Sequence, residues 1–305
     1  SRVCERGGLF YMPPLIQLLR PHQWVKNGFV FAGLLFSHSW GDPVLVTQAV
    51  LAFVAFCLVS SAVYVMNDLL DREQDRRHPE KCRRPLASGT VSVPAALVLA
   101  GICLLLGLGL ALGLFAAAGA PASQAPWIFV AYFLLNVAYS LGLKHVVVLD
   151  VFIIAAGFML RLLAGTLGLG IWPSHWLLLC GLMLTLFLGF AKRRAELNVL
   201  MADSGQHRRV LDQYTPAMLD QFTTLSAGAT MMAYSLYTVS AETIALHGTP
   251  WLIATVPCVL YGLLRYLYRL HRAGGGGDPA REVLTDPHLL GTFILWLALV
   301  IWLLA

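Results

Sequence analysis

Long apolar stretches recur along the whole chain, and they constrain the fold more than any other feature of the sequence. Many approach the roughly 20 residues that an α-helix needs to cross a bilayer. Only 12% of the 305 residues are charged, whereas soluble globular proteins carry about 25%. The sequence therefore predicts an all-α polytopic membrane protein, folded as a single helical domain over residues 1–305.

Nine helices are predicted from the apolar stretches. They cover residues 15–38, 44–70, 92–119, 126–143, 146–170, 174–192, 217–244, 250–270 and 288–305. Several are rich in Leu, Ala and Gly, as tightly packed membrane helices often are. The connections at about 71–91 and 193–216 are long and polar, and we expect them to be cytoplasmic and to carry an active site.

Lys and Arg residues are unevenly divided between the two sets of connections that nine alternating helices would produce. All of them except Arg161 lie on the side of the N-terminal segment and of the long connections, or in helix ends that face that side. The opposite connections contain none; these are 39–43, 120–125, 171–173 and 245–249. This asymmetry predicts that the basic side is cytoplasmic. It also explains the net charge of +5 without a nucleic-acid partner.

The six cysteines are scattered and form no CxxC pair. Most of them fall inside apolar stretches. This pattern favours ordinary buried side chains over a disulfide framework or a metal site.

Residues 64–75, YVMNDLLDREQD, place four acidic residues at the end of an apolar stretch. Asn67, Asp71 and Asp75 repeat every four positions, so they share a helix face with successive Cβ atoms roughly 6 Å apart. Two carboxylates that close repel each other unless a cation or a proton lies between them. Carboxylate and amide oxygens suit Mg²⁺, so the motif predicts a magnesium site, with Asp68 turned away from the other three.

A basic segment, RRHPEKCRRPLASG at 76–89, follows the acids. Pro79 and Pro85 interrupt helical structure, so the segment is predicted to be a loop folded near the acids. Acids for a metal beside bases for phosphate oxygens indicate a site for an anionic substrate. The alternative is a solvated helix end whose acids pair with Arg72, Arg76 and Arg77.

These residues resemble the UbiA-type intramembrane prenyltransferase superfamily, whose members ionise a prenyl diphosphate with Asp-rich motifs and Mg²⁺. The ordered motifs are similar to one branch, the decaprenyl-phosphate phosphoribosyltransferases. They are LLRPHQWVKN (18–27), NDLLDREQDRRHPEKCRRPLASG (67–89), YSLGLKHVVVLDVF (139–152), GFMLRLLAG (157–165) and KRRAEL (192–197). The resemblance implies a UbiA-like bundle of about nine transmembrane helices.

One motif departs from the superfamily pattern. Typical members place a second Asp-rich motif after the sixth helix, where this chain reads AKRRAEL, with Lys192, Arg193 and Arg194. A second acidic cluster suits a second Mg²⁺ on a prenyl diphosphate, whereas a basic cluster suits a bare phosphate. Asp203 and Asp212 lie further along the same connection, which could fold back so that they serve as a second set of acidic ligands.

The resemblance implies that a phosphoribosyl group moves from 5-phosphoribosyl 1-diphosphate to a polyprenyl phosphate. Asp71, Asp75 and Asn67 would hold Mg²⁺ against the diphosphate, and the lipid phosphate would attack the anomeric carbon without a general base. The other expected substrate-binding residues are Lys26, Asn27, Asp68, Lys81, Arg83, Arg84, Tyr139, Lys144, Asp150, Lys192, Arg193 and Glu196. The product would serve as a precursor of arabinofuranose donors for cell-envelope glycans. The resemblance also implies a location in a bacterial inner membrane, and the sequence leaves the formation of a homo-oligomer open.

Three polar residues in the apolar stretches lie at positions whose depth in the membrane matters for their role. Lys26 and Asn27 are predicted to lie at the cytoplasmic end of the first helix, where a lipid headgroup would be. Arg161 lies deep in its helix, and the sequence favours a structural role, paired with an acid such as Glu242 or with backbone carbonyls.

Two alternative functions stay open. One is a prenyltransferase that moves a prenyl chain to an aromatic acceptor, against which the basic KRRAE sequence argues. The other is a transporter for an anionic metabolite, which needs access from both sides of the membrane, although only Arg161 and Glu242 are candidates for its far half. Dependence on Mg²⁺ through Asp71 and Asp75 discriminates between an enzyme and a transporter.

Overall fold

The computed structural model describes residues 12–37, 39–78, 81–118, 124–202, 213–272 and 279–304, and within these ranges the chain contains helices and no strand. The α-helices are α1 (Pro14–Leu19), α2 (Ala32–Phe36), α3 (Pro43–Leu70), α4 (Arg72–Arg77), α5 (Val93–Ala118), α6 (Ala125–Leu141), α7 (Leu149–Ala164), α8 (His175–Ala202), α9 (Pro216–Val239), α10 (Ala241–His247), α11 (Val256–Arg272), α12 (Pro279–Thr285) and α13 (Pro287–Leu304). Between them lie 3₁₀-helices at Pro21–Phe31, Lys81–Arg83, Leu143–His145, Leu167–Leu169 and Trp251–Thr255.

The predicted all-α membrane fold is confirmed. Six helical segments of the described chain are long and apolar enough to cross a membrane: Pro43–Leu70, Val93–Ala117, Leu149–Leu169, His175–Asn198, Trp251–Arg272 and Pro287–Leu304. α6 is apolar but shorter, and α9 has 24 residues. The number of nine crossings stays a prediction.

The first predicted helix, 15–38, is wrong as a continuous α-helix. α1 ends at Leu19, Arg20 adopts a left-handed conformation with φ 51°, and the following 11 residues form a 3₁₀-helix. Pro21 accounts for the break, because the residue before a proline is disfavoured in the α region.

The two polar connections also contain more helix than the sequence predicts. The connection at 71–91 contains α4 and the 3₁₀-helix Lys81–Arg83. α8 continues to Ala202, so the connection predicted at 193–216 begins as helix. Asp203 and Asp212 lie outside the described residues.

α3 forms the centre of the largest apolar core. Asp42 starts this helix, because its carboxylate accepts from Val44 N at 2.8 Å and Pro43 occupies the first turn. Phe56 of α3 packs on Phe129 of α6, with ring centroids 4.5 Å apart. α5, the 3₁₀-helix Pro21–Phe31 and the end of α7 complete this cluster.

Charged side chains gather where α3, α6, α8 and α11 end and where α7, α9 and α13 begin; we call this region the polar end. Ion pairs cross it between helices that are distant in sequence: Lys144 with Asp71, Arg193 with Asp150, Arg194 with Asp220, and Arg269 with Asp286. Helices that alternate in direction produce this arrangement, as the distribution of Lys and Arg predicts.

Candidate active site at the polar end

Two carboxylates at the end of α3 share one guanidinium group. Arg84 Nη1 donates to Asp68 Oδ1 at 3.0 Å and to Asp75 Oδ2 at 2.7 Å. Arg20 also donates to Asp68. Both carboxylates are buried. Asp68 is predicted to point away from the face of Asn67, Asp71 and Asp75, and Arg84 bridges it to Asp75 from that position.

Asp71 and Asn67 contact α6 and the turn that follows it. Asp71 Oδ1 accepts from Lys144 Nζ at 2.9 Å, and the Ser140 hydroxyl donates to Asn67 Oδ1. Although α3 ends at Leu70, Asp71 N donates to Asn67 O at 2.9 Å and Asp75 N donates to Asp71 O at 2.8 Å. The four-residue spacing of Asn67, Asp71 and Asp75 therefore continues across the break into α4, as the motif predicts.

The alternative pairing of these acids with Arg72, Arg76 and Arg77 holds only for Glu73, which pairs with Arg76. Asp68, Asp71 and Asp75 pair with Arg20, Arg84 and Lys144 instead. Arg72 Nε donates to Leu86 O at 3.2 Å, and Arg76 Nε donates to Ala87 O at 3.3 Å. These two arginines therefore hold the basic segment against α4, and it is this contact that brings Arg84 to the acids.

The oxygen donors of this cluster fit a hard divalent cation. Asp68, Asp71 and Asp75 supply carboxylates and Asn67 supplies an amide oxygen, which are the ligand types that Mg²⁺ prefers. Among the described residues, no three His, Cys, Asp or Glu side chains converge closely enough to hold a metal ion. A bound Mg²⁺ would therefore take further oxygens from its substrate and from water, as Mg²⁺ sites in phosphate-using enzymes commonly do.

A second polar network joins α7, α8 and α9. Arg193 Nε donates to Asp150 Oδ2 at 2.7 Å, and Arg193 Nη1 donates to Glu196 Oε2 at 2.6 Å. Arg193 is 1% exposed and Asp150 is 0% exposed, so neither side chain reaches solvent. Tyr139 accepts a longer bond of 3.4 Å from Arg193 Nη2. These residues form an internal brace next to the acids.

Tyr214 completes this brace from the start of α9. Its hydroxyl donates to Asp150 Oδ1 at 2.9 Å and accepts from Val148 N at 2.6 Å. Burial raises the pKa of Tyr214 well above its usual range, so the phenol keeps the proton that it donates. Val148 has φ 67°, a strained conformation for a β-branched residue, and the bond from its N–H to Tyr214 supports that turn.

A cavity of about 530 Å³ lies between the 3₁₀-helix Pro21–Phe31 and helices α7, α8, α11 and α13. Its wall is mostly apolar, with Phe29, Phe158 and Trp296 among the lining residues, and it includes the cations Lys26 and Lys192. A second, smaller cavity of about 180 Å³ shares Phe29 and Trp296 with it and continues along the bundle. The pair can take a long apolar chain with an anionic head.

Arg161 and Asn27 lie together in the interior. Arg161 donates to Asn27 Oδ1 at 2.8 Å, to Gly157 O at 2.8 Å and to Tyr132 OH at 2.9 Å. The predicted pairing with a backbone carbonyl is confirmed, whereas pairing with Glu242 is wrong. Arg161 lies about 16 Å along α7 from Asp150, at about 1.5 Å per residue. Asn27 shares that depth, so its predicted place at the cytoplasmic end of the first helix is wrong.

The remaining predicted residues lie around these features. Lys192 and Glu196 are one helical turn apart on α8, with their charged atoms 4.0 Å from each other. Lys81 and Arg83 belong to the 3₁₀-helix that precedes Arg84. The structure thus brings Asn67, Asp68, Asp71, Asp75, Arg84 and Lys144 into one cluster, and places Asp150, Arg193, Glu196 and Tyr139 in the adjoining brace.

Three contacts of the site were missed by the sequence reasoning. Arg20 binds Asp68, Ser140 binds Asn67 and Tyr214 binds Asp150. Arg20 and Ser140 lie inside the motifs LLRPHQWVKN and YSLGLKHVVVLDVF, which offered a signal for them. Tyr214 follows a long polar connection, and nothing in its local sequence indicates its contact.

Comparisons with known proteins agree with this architecture. The chain matches the model of the UbiA prenyltransferase family over residues 28–282. It is 34% identical over 287 residues to the decaprenyl-phosphate phosphoribosyltransferase of Corynebacterium glutamicum, covering 92% of this chain and 84% of the relative. The enzyme of the same name from Mycolicibacterium smegmatis is 32% identical over 295 residues, covering 93% and 90%.

A solved structure has the same fold. A UbiA homolog from Archaeoglobus fulgidus, bound to GPP and Mg²⁺, has a TM-score of 0.68 to this chain at 18% sequence identity. The likeness covers 95% of this chain and 98% of the homolog.

Proposed function

From the premise that this chain belongs to the UbiA prenyltransferase family, we propose that it transfers the 5-phosphoribosyl group of 5-phosphoribosyl 1-diphosphate to a polyprenyl phosphate. Two relatives at 32–34% identity carry the name of that activity. The observation that carries the proposal is the cavity whose apolar wall includes Lys26 and Lys192. Two lysines beside an apolar wall suit a lipid whose head is a phosphate.

The diphosphate substrate binds at the acidic cluster. When bound there, Mg²⁺ would neutralise the leaving diphosphate as the bond to the ribose breaks. Asp71, Asp75 and Asn67 would hold the ion. Arg84 and Lys144, which neutralise the carboxylates in the structure, would then be available to bind phosphate oxygens.

The reaction replaces one C–O bond with another at the anomeric carbon. The bond from C1 to the diphosphate oxygen breaks, and a phosphate oxygen of the lipid forms the new bond to C1. A phosphate monoester at neutral pH already carries a nucleophilic anionic oxygen, so the site needs no side chain to remove a proton. Lys26 and Lys192 would orient that anion, because an ammonium group attracts phosphate as a point charge.

The sidedness of the protein supports this assignment of substrates. The polar end holds the acidic cluster and most of the described Lys and Arg residues, and the positive-inside pattern favours a cytoplasmic location for it. A phosphorylated sugar is made and kept in the cytoplasm, so it would reach the acids directly. The lipid would enter its cavity from within the membrane.

The test measures transfer of ribose label into lipid. The purified full chain in detergent is given Mg²⁺, ribose-labelled 5-phosphoribosyl 1-diphosphate and a polyprenyl phosphate, and the organic phase is counted. We expect transfer by the unaltered protein and a loss of at least about 100-fold in Asp71→Asn, the scale expected when charge stabilisation of a leaving group is removed. Glu73→Gln is the matched control, because Glu73 is an exposed acid that pairs with Arg76 on the outer side of the same motif.

Two results would count against the proposal. Equal activity of Asp71→Asn and Glu73→Gln would remove the acidic cluster from the reaction. Absence of label in the lipid, together with prenylation of an aromatic acid from a prenyl diphosphate, would assign the chain to the prenyl-transferring chemistry of its family.

A further inference from the structure

The segment Pro21–Phe31 is a 3₁₀-helix of 11 residues. Such helices rarely run beyond three or four residues, because their hydrogen bonds have poorer geometry than those of an α-helix. A run of this length inside a membrane bundle therefore needs support from the surrounding structure, and it suggests that the conformation serves a purpose.

The three-residue repeat of this helix places one row of its side chains along the larger cavity, which we call the lipid cavity. A 3₁₀-helix has three residues per turn, so side chains three positions apart lie in a row. Gln23, Lys26 and Phe29 form one such row, and all three line the larger cavity, together with Val25 from an adjacent row. Ala32, the next residue in the row, lines the smaller one with Phe29.

An α-helix over the same residues would not form this row. With 3.6 residues per turn, each step of three positions rotates the side chain by about 60°. Over the three steps from Gln23 to Ala32 that rotation reaches about 180°, so the two ends of the row would face opposite sides. The 3₁₀ conformation aligns Gln23, Lys26 and Phe29 in a single row along the cavity, whereas an α-helix would spread them over about 120°.

The neighbouring row of the helix anchors it to the bundle. Trp24 Nε1 donates to Ser61 Oγ at 3.1 Å, Asn27 is 1% exposed and Val30 is 0% exposed. The backbone at Val30 touches α7 so closely that a Cβ atom added at Gly165 would lie 1.7 Å from Val30 O. Contacts on this row fix which residues turn toward the cavity.

Arg161 supplies the polar anchor of that row. Its Nε donates to Asn27 Oδ1, and Asn27 Nδ2 in turn donates to Ser60 Oγ and Cys57 Sγ at 3.3 Å. The Arg161 guanidinium lies over the rings of Phe56, Tyr132 and Phe158 at 4.9–5.5 Å. Among the described residues its hydrogen-bond partners are Asn27, Gly157 O and Tyr132, all of them neutral. A cation buried at membrane depth without an acid is costly, and such residues usually serve function.

We propose that Arg161 is a positioning residue for the lipid acceptor. By holding Asn27 it keeps residues 21–31 in the 3₁₀ conformation, and that conformation sets Lys26 and Phe29 in line along the lipid cavity. This inference rests on the proposed function, because it takes the polyprenyl phosphate as the occupant of the cavity.

The experiment measures binding of the lipid separately from transfer. Kd for polyprenyl phosphate is measured with the full chain in nanodiscs, and KM for each substrate is measured in the transfer assay. Arg161→Gln and Asn27→Leu each remove the bond that joins α7 to the 3₁₀-helix. We expect each to raise the lipid Kd and KM at least tenfold, while KM for 5-phosphoribosyl 1-diphosphate stays within about twofold of its original value.

Tyr132→Phe is the matched control. It removes another hydrogen bond of Arg161 but leaves the bond to Asn27 intact. We expect its lipid Kd to stay within twofold of that of the unaltered protein. Arg161→Lys keeps the charge but lacks the Nε donor, so it should show the same loss of lipid affinity as Arg161→Gln.

The outcomes separate the two proposals. If the unaltered protein does not bind polyprenyl phosphate, the proposed function fails. If it binds the lipid and Asn27→Leu, correctly folded, binds it equally well, the positioning role of Arg161 is overturned. Equal losses in Tyr132→Phe and Asn27→Leu would also overturn it, because general weakening of the interior would then explain both. Should Arg161→Gln fail to fold, Asn27→Leu decides the question.

Discussion

Arg193 belongs to the basic sequence that suggests phosphate binding, yet its buried position predicts a structural role. It is 1% exposed and faces Asp150, which is 0% exposed. Arg193→Met would leave the Asp150 carboxylate buried with Tyr214 as its remaining side-chain donor. Removing one partner of a buried pair typically costs about 3–5 kcal/mol. At about 2 °C per kcal/mol for a large domain, Tm should fall by about 6–10 °C.

The reciprocal change should cost less, because Arg193 keeps Glu196 when Asp150 is lost. Asp150→Asn is therefore expected to lower Tm by less than Arg193→Met. The double variant Asp150→Asn/Arg193→Met leaves neither charge unpaired at this contact, so it should recover much of the loss. Thermal unfolding of the four proteins in one detergent, followed by tryptophan fluorescence, measures this cycle.

Measurements of KM beside Tm distinguish a structural role of Arg193 from direct binding of substrate. If Arg193 binds substrate directly, Arg193→Met would keep its Tm within about 2 °C, the shift that corresponds to about 1 kcal/mol, and would raise KM for 5-phosphoribosyl 1-diphosphate. That outcome would refute the structural reading. Lys192→Gln is the comparison, because Lys192 lines the cavity; we expect it to raise lipid KM with little change in Tm.

Three further predictions test other parts of the structure. Arg84→Gln removes a cation shared by two carboxylates, and we expect KM for 5-phosphoribosyl 1-diphosphate to rise at least tenfold, the scale of one charged hydrogen bond at about 1.5–3 kcal/mol; an unchanged KM would contradict a phosphate contact. The hydrogen bond from Arg265 holds the pKa of Asp286 well below its usual range. The ionised Asp286 carboxylate therefore stabilises the fold above the unfolded pKa of about 3.9, and this stabilisation is lost as pH falls below that value. Tm of the unaltered protein should therefore fall more steeply between pH 5 and pH 3 than Tm of Asp286→Asn, and parallel curves would contradict this. Gly165→Ala should lower Tm because its Cβ would meet backbone, whereas Gly101→Ala, with open space around it, should leave Tm unchanged or raise it; equal effects would refute the close packing.

The geometry of the acidic motif was predictable because helical spacing is a local property. Asn67, Asp71 and Asp75 keep their four-residue relation even though α3 ends between them. Their cationic partners were not predictable in the same way. The sequence offered Arg72 and Arg76 as neighbours, but these residues bind backbone carbonyls of the basic segment.

The depth of Asn27 shows a second limit of local reasoning. A continuous helix at 15–38 placed it near the membrane surface, whereas the break at Arg20 and the 3₁₀-helix place it beside Arg161. The Pro21 signal was present in the sequence. The length of the 3₁₀ run was not, because it depends on packing against α3 and α7.

The sequence alone determined that this chain is a helical membrane protein, that its cations lie on one side and that an acidic motif suited to Mg²⁺ ends one helix. These properties follow from the cost of burying polar groups in lipid and from the period of the α-helix, which act on residues close in sequence. The tertiary structure decided which cation meets which acid, which arginines serve as braces and which residues line the larger cavity. Those contacts join positions as far apart as Asn27 and Arg161, and only the packing of the helices brings such positions within hydrogen-bonding distance.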